Sequence, residues 1–257
     1  MDVLVATNAT IVIPVYNGWE FTRACLDSVL PTLRKGDRVV VVDDGSTDHV
    51  TFEGVESLAM LDSRVVYVSR GANRGFANAC NAGARYAHAG DVLVFLNNDT
   101  IVFPGWLDLL ARPLANESVG EVGPVSNFVS GPQLMTSRFA TPGEMWRVAR
   151  ADALSEMAAY RARTFGRVYE LTPRLVGFCL ATSVSTFRLI GGFREDYGIG
   201  GYEDDDYCRR LSAREMDLLI AQGCFVYHHG HETFEANGLD WKALQDEAQR
   251  VFLARWQ

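Results

Sequence analysis

Apolar residues in the first half of the chain follow two alternating periods. "TIVIPVY" is a short β-branched run ended by Pro14, and from Trp19 to Leu30 the positions Phe21, Cys25 and Val29 recur at helical spacing. "RVVVVDDGSTD" sets four valines in a row and stops at two aspartates and a glycine turn. "RVVYVS" predicts a third strand, "GFANACNAGARYAHAG" a helix of small residues (Phe76, Cys80, Gly83, Ala87), and "DVLVFLNNDT" a fourth strand that again ends at polar residues. Strands of continuous apolar character alternating with helices predict an α/β fold with a mostly parallel sheet covered on both faces.

Sheets of this kind bind ligands beyond the C-terminal ends of their strands, where strand order reverses. The residues expected there are Pro14-Val15-Tyr16-Asn17, Asp43-Asp44-Gly45-Ser46 and Asn97-Asn98-Asp99. All are polar or turn-forming, and all fall on one edge. That edge is the candidate site.

The second half is less regular. Residues 142–165 read as an amphipathic helix whose arginine-rich face is solvated. "GFCLATSVSTFRLIGGF", an acidic run and "LLIAQGCFVYHHGHETF" follow, and "DWKALQDEAQRVFLARWQ" predicts a final helix. There is no internal repeat or low-complexity tract.

Composition narrows the function classes. The 257 residues, 48% hydrophobic and 22% charged, describe an ordinary globular protein of one large domain or two small ones. A net charge of −8 disfavours nucleic acid as a partner. The only lysines are Lys35 and Lys242, neither placed to serve a P-loop, and no GxGxxG occurs. The five scattered cysteines read as reduced thiols. The start "MDVLVATNAT" lacks the features of a signal peptide, and no stretch approaches the ~18 apolar residues of a membrane helix. The expectation is a cytoplasmic protein, with peripheral contact at the inner face of the membrane left open.

Three clusters carry candidate chemistry. At a strand end, Asn97 and Asp99 point one way and Asn98 the other, so an amide and a carboxylate oxygen face together. Such hard oxygen donors suit Mg²⁺ or Mn²⁺, although a turn with Asx hydrogen bonds explains the same residues. "VYHHGHE" places three of five histidines within four residues, as metal ligands or as surface groups at a strand end. Arg70 and Arg74 meet a phosphate or base, or face solvent. The third cluster is "GIGGYEDDDYCRRL", where Glu203, Asp204, Asp205 and Asp206 open a predicted helix. The helix dipole accounts for two acids in a first turn but not for four, because adjacent carboxylates repel and raise one another's pKa. A raised pKa suits a general base, and the glycines supply a loop that can bend over a substrate.

"IVIPVYNG", "VVVVDDGSTD", "NRGFANACNAG", "DVLVFLNNDT", "GFCLATSVSTFRLIGGFRE", "GYEDDDYCRRL" and "VYHHG" together resemble the family 2 glycosyltransferases of GT-A fold, and most of all their bacterial rhamnosyltransferase-like branch. The motifs occur in the family's order and cover roughly residues 10 to 235. The resemblance implies a single GT-A (Rossmann-like) domain whose sheet is flanked by helices, with a nucleotide-sugar-binding half near 1–125 and a smaller acceptor-side subregion in the acceptor-binding half near 126–257. It implies an inverting, metal-dependent transfer from a UDP- or dTDP-linked sugar to a hydroxyl of a glycan, lipid-linked or protein acceptor, in bacterial surface polysaccharide or glycoconjugate synthesis. Pro14, Tyr16, Asp43, Asp44, Arg74, Gly75, Asn97 and Asn98 are then donor-binding positions. Asp99 binds Mn²⁺ or Mg²⁺ together with His228 or His229. Asp204 corresponds to the catalytic base and Glu203 to a neighbour that helps bind the acceptor, while Asp205 and Asp206 cap the helix or hold the loop.

Two departures mark the chain. Asn97 replaces the first aspartate of the family's DxD, and "SAREMDLLIA" lacks the glycine usual after the acidic helix. Two other functions fit parts of the pattern: a nucleotide-sugar-binding module without turnover, and a metal-dependent hydrolase built on "HHGH".

Overall fold

The computed structural model describes residues 7–135, 151–230 and 240–257. The expected alternation is present as β1 (Ala9–Val15), α1 (Trp19–Val29), β2 (Arg38–Asp43), α2 (His49–Leu61), β3 (Val65–Ser69), α3 (Phe76–Ala84) and β4 (Val92–Leu96). There follow β5 (Thr100–Ile101), α4 (Trp106–Ala111), β6 (Val119–Val125), α5 (Ala151–Phe165), β7 (Tyr169–Leu171) and β8 (Cys179–Ser183). The chain continues through α6 (Val184–Ile190), α7 (Glu203–Ser212), β9 (Asp217–Phe225), β10 (Tyr227–His228) and α8 (Trp241–Trp256).

One sheet takes the order β3-β2-β1-β4-β8-β6-β9-β7. β1 pairs in parallel with β2 on one flank and β4 on the other, β2 with β3, and β6 with β9. β8 runs antiparallel to its neighbours β4 and β6, and β7 antiparallel to β9. The sheet is therefore mostly parallel, and its order reverses at β1. That places the crevice at the ends of β1, β2 and β4.

The period-2 rule sorts the strand residues onto two cores. Val12, Val40, Val42, Leu93 and Phe95 face α3, where Ala77, Cys80 and Ala84 are buried. Ile11, Ile13, Val39, Val41, Val94 and Leu96 face the other way, toward Cys25, Leu26 and Val29 of α1. Burial on both faces explains why the strands read as unbroken apolar runs. α3 approaches the sheet at Gly83, where an added Cβ would stand 2.3 Å from Val12 Cγ1. All five cysteines are free and buried.

The arginine-rich face of residues 142–165 is less solvated than expected. Residues 142–150 lie outside the described set. Within α5, Arg161 is buried and donates from Nε and Nη2 to the Gln222 carbonyl at 2.9 and 2.7 Å, with its guanidinium 4.5 Å from the Phe165 ring centroid. The carbonyl of a β9 residue needs a donor here, and the arginine supplies it. Among the described residues, no helix is long and apolar enough to cross a membrane.

Candidate active site

The ends of β1 and β2 are tied to each other before any ligand is considered. Pro14 sits opposite Val42 in the β1–β2 ladder, and Tyr16 is half-buried just beyond β1. The Asn17 side chain accepts from the backbone N–H groups of Thr47 (2.7 Å) and Asp48 (3.1 Å), joining the β1 exit to the β2 exit. Asp43 accepts from Ser46 N (2.8 Å) and from the Tyr67 hydroxyl (2.9 Å), so both of its oxygens are engaged. Asp44 Oδ2 accepts from the backbone N–H groups of Arg74 and Gly75, each at 2.8 Å. Its Oδ1 is buried without a hydrogen-bond partner, 3.6 Å from Arg70 Nε. Burial raises the Asp44 pKa against the pull of those donors. Arg74 contributes its backbone here while its side chain is exposed.

Gly75 couples this edge to the glycine loop before α7. It has φ +92, and a Cβ there would lie 2.2 Å from the Gly198 carbonyl oxygen. The next residue, Phe76, donates its N–H to the Ile199 carbonyl at 2.9 Å. Only glycine permits both the backbone angle and this approach.

Beyond β4, the alternation expected for Asn97-Asn98-Asp99 holds. Asn98 is buried and donates to Thr22 Oγ1 at 2.9 Å, whereas Asn97 and Asp99 line a cleft. The β5–β10 ribbon then decides between the two histidines. His228 pairs with Thr100 in that ribbon, and its Nε2 lies 3.2 Å from Asp99 Oδ1. The adjacent His229 turns its ring onto Phe21 and Tyr227 and supplies its backbone N–H to the Asp99 carbonyl. His231, the last of the run, lies outside the described residues.

The His228 ring is held on three sides. Its Nδ1 donates to the Phe128 carbonyl at 2.9 Å, Phe178 stacks on it at 5.1 Å, and Phe128 meets it edge-on. Burial pulls the His228 pKa down, but the Asp99 carboxylate and the Phe128 carbonyl carry it above the ordinary value. For Asp99, burial pushes upward, and the imidazole more than reverses it, leaving the carboxyl below its usual range.

The residues fit a hard divalent cation. Asn97 Oδ1 is buried without a hydrogen-bond partner, and buried Asp99 Oδ1 faces the His228 imidazole 3.2 Å away. With Nδ1 committed to a carbonyl, His228 turns Nε2 toward Asp99, the orientation usual for a ligating imidazole. A carboxylate, an amide oxygen and an imidazole suit Mn²⁺ or Mg²⁺. Among the described residues, no group of three or more His, Cys, Asp and Glu converges on one point.

The acidic run opens α7 as expected, and each acid meets a different environment. Tyr202, at the helix start, takes a left-handed φ of 66°. Glu203 is buried and accepts from Gly201 N at 2.6 Å; burial first, and the charge of Asp204 second, raise its pKa. Asp204 is buried and accepts from Gly177 N (2.7 Å) and Asp205 N (2.8 Å). Asp205 pairs with the Arg174 guanidinium; burial nevertheless raises its pKa. Asp206 is fully buried and turned away from the cleft, against Arg210, Tyr197 and Trp256.

Asn97, Asp99, His228, Glu203, Asp204 and Asp205 all line one cleft of about 350 Å³. The strand-end carboxylate and the helix-start carboxylates, distant in sequence, thus share one space. Asp43 and Asp44 do not line it. Sequence reasoning missed Arg174, Trp241 and Gln245, which also line it. Arg174 and the α8 pair are lone polar or aromatic residues in otherwise undistinguished stretches, and no local signal separates them from solvated surface.

Comparison with known proteins agrees with this architecture. A family model described as glycosyl transferase family 2 matches residues 10–183, more than half of the chain. A model described as the N-terminal domain of galactosyltransferase matches residues 160–232. The chain belongs to glycosyl transferase family 2. It is similar to O-antigen biosynthesis protein RfbC of Myxococcus xanthus, 25% identical over 246 residues, covering 90% of this chain and 18% of that protein. It is also similar to glycosyltransferase GlyA of Streptococcus pneumoniae, 31% identical over 111 residues, covering 43% of this chain and 16% of that protein.

Among solved structures, GalNAc-T7 with UDP, GalNAc and Mn²⁺ superposes with a TM-score of 0.68 at 19% identity, over 88% of this chain and 44% of that one. Mannosyltransferase PcManGT from Pyrobaculum calidifontis, in complex with GDP-Man and Mn²⁺, superposes with a TM-score of 0.59 at 22% identity, over 84% and 56%. At these identities the structures show the fold, and that fold is GT-A. The chain spans less than a fifth of the length of RfbC and GlyA.

Proposed function

We propose that the cleft transfers a sugar, with inversion at the anomeric carbon, from a UDP- or dTDP-linked donor to a hydroxyl of a carbohydrate-bearing or lipid-linked acceptor. The observation that carries this reading is the Asp99–His228 pair at one wall of the cleft that Asp204 lines at another. Asp99, His228 and Asn97 are the residues that would hold the cation. When bound, the cation offsets the charge that builds on the departing nucleoside diphosphate. Asp204 takes the proton of the attacking hydroxyl. The Gly177 and Asp205 N–H groups hold its carboxylate in one orientation. Glu203, retaining its proton by burial, adds no second negative charge beside the base and helps bind the acceptor.

The donor's nucleoside rests on the edge formed by Pro14, Tyr16, Asp44, Arg74 and Gly75, with Asp43 bracing that edge through Tyr67 and Ser46. The acceptor enters past Ser130 and Arg174, which line the cleft beside Asp205. The similarity to an O-antigen biosynthesis protein favours surface polysaccharide synthesis as the setting.

The test is calorimetric titration of UDP, dTDP and GDP into the protein, each with and without Mn²⁺. Metal-dependent binding of UDP or dTDP supports the reading, and binding of GDP alone overturns its donor class. Absence of binding to all three with Mn²⁺ present refutes it. Asp99→Ala is expected to weaken the Mn²⁺-dependent part of that binding. Asp204→Asn is expected to leave it intact and to lower donor turnover about 10²- to 10⁴-fold, the range usual for a lost general base.

A further inference from the structure

The loop after β6 touches both ends of this chemistry through side chains that never enter the cleft. Asn127 is buried and grips the backbone of His228 twice. Its Nδ2 donates to the His228 carbonyl at 3.0 Å, and its Oδ1 accepts from the His228 N–H at 2.9 Å. This bidentate amide continues the ladder for one rung past β10. The next residue, Phe128, supplies the carbonyl that orients the His228 ring.

Six residues further on, Gln133 is fully buried and has both of its ends committed. Nε2 donates to the Pro124 carbonyl at 2.8 Å, and Oε1 accepts from Val176 N at 2.7 Å. Val176 adjoins Gly177, whose N–H donates to Asp204. On its other side, Leu175 is held by Cys208 of α7, whose sulfur accepts from Leu175 N at 3.4 Å. Three consecutive residues are therefore clamped, by Cys208, Gln133 and Asp204. The loop itself is closed at its base, with Ser126 N donating to the Gln133 carbonyl and Met135 N to the Ser126 carbonyl, each at 2.9 Å.

We propose that Asn127 and Gln133 are positioning residues, the first for the cation-binding face of His228 and the second for the carboxylate of Asp204. The closed loop 126–135 is then the part that sets the metal site and the base relative to each other. The inference rests on the functional reading given above. It goes beyond that reading because neither side chain touches a reacting group. Buried amides with both the nitrogen and the oxygen engaged hold one geometry, since a flip leaves both ends mismatched.

The experiment measures two quantities on folded variants with matched urea midpoints. The first is Mn²⁺ affinity, by calorimetric titration of the metal at saturating UDP, dTDP or GDP. The second is kcat and KM for hydrolysis of the corresponding nucleotide sugar. Asn127→Asp, which keeps the acceptor and loses the donor, weakens Mn²⁺ binding about 10- to 100-fold, the range found for groups that orient metal ligands. Asn127→Ser provides a smaller alternative should the first variant fold poorly, with the same expected loss. Gln133→Met keeps Mn²⁺ affinity within about twofold and lowers kcat about 10- to 100-fold at unchanged KM, as expected for a misplaced base. Gln133→Glu, which retains the acceptor for Val176 N–H, recovers most of that loss. Unchanged Mn²⁺ affinity in the folded Asn127 variants overturns the inference, as does a joint loss of affinity and kcat in Gln133→Met. Wild-type protein that binds no nucleotide with Mn²⁺ overturns the functional reading and this inference with it.

Discussion

Replacing Asp206 by alanine is the perturbation that best separates structure from catalysis within the acidic run. The Asp206 carboxylate accepts from Arg210 Nε at 2.7 Å, Trp256 Nε1 at 3.0 Å and the Tyr197 hydroxyl at 3.2 Å. Arg194 and Arg255 stand 3.8 Å away. Three hydrogen bonds to a charged acceptor sum to roughly 4–9 kcal/mol at ~1.5–3 kcal/mol each, but that overstates the net cost, because freed donors regain water. Arg210, with its side chain 12% exposed, loses its carboxylate bond and keeps the Ile190 carbonyl; Arg194 is 44% exposed and Arg255 keeps Asp196. One uncompensated buried charge corresponds to about 3–5 kcal/mol. Against a total stability of about 5–15 kcal/mol, that is a large share. Asp206→Asn keeps an oxygen for Trp256 and Tyr197 and should cost about half as much. Urea denaturation followed by circular dichroism measures both. If Asp206→Ala falls within ~1 kcal/mol of wild type, the reasoning that its carboxylate compensates the buried Arg210 charge is wrong.

Three further outcomes follow from single residues. Glu121 is fully buried beside Cys208, and burial pushes its pKa from 4.5 up to about 8. The folded protein keeps this proton while the unfolded chain releases it above its ordinary pKa, so stability should fall as pH rises from about 5 to 8, by at most ~1.4 kcal/mol per unit. Glu121→Gln should flatten that slope, and an identical slope in urea midpoints measured at each pH would refute the assignment. Glu215 takes φ 59 in the turn that follows α7, within the "SAREMDLLIA" stretch that contains no glycine. Glu215→Gly should raise the urea midpoint, with a gain of about 0.5–1 kcal/mol from relieved left-handed strain; a lower midpoint would show that strain is not the controlling effect. Gly75→Ala should weaken nucleotide binding and lower the urea midpoint together, because its Cβ meets the Gly198 carbonyl oxygen at 2.2 Å; wild-type values of both would show that the Gly75–Gly198 contact yields without cost.

What the sequence revealed depended on how local the signal was. The ends of β1, β2 and β4 were legible because an apolar strand must stop where its residues turn polar, and a parallel sheet puts those stops on one edge. The Asn97/Asp99 alternation was legible for the same reason, since it needs only the pleat of one strand. The choice between His228 and His229 was not, because adjacent strand residues point oppositely and only the pairing of β10 with β5 says which one meets Asp99. Arg161 read as solvated because charge on a helix usually is; its carbonyl partner, Gln222, lies on a strand that sequence cannot dock against it. Asn127 and Gln133 carried no signal at all, being single amides in an irregular loop.

The four acids of α7 show why a run of like charges resists apportioning from sequence alone. Successive residues at the start of a helix point about 100° apart, so four neighbours sample the whole circumference. Each therefore meets a different part of the fold: Gly201 for Glu203, Gly177 for Asp204, Arg174 for Asp205, and the end of α8 for Asp206. Repulsion among them is met in four separate ways, by a raised pKa, by backbone N–H donors, by a guanidinium at the cleft mouth, and by a buried arginine with Trp256. Trp256 is 50 residues further along the chain. The dipole argument, which treats the first turn as one environment, explains that acids are tolerated there and says nothing about which one faces the substrate. That distinction comes from the backbone N–H groups that Gly201 and Gly177 bring to 2.6 Å from Glu203 and 2.7 Å from Asp204, two of the three acids that line the cleft.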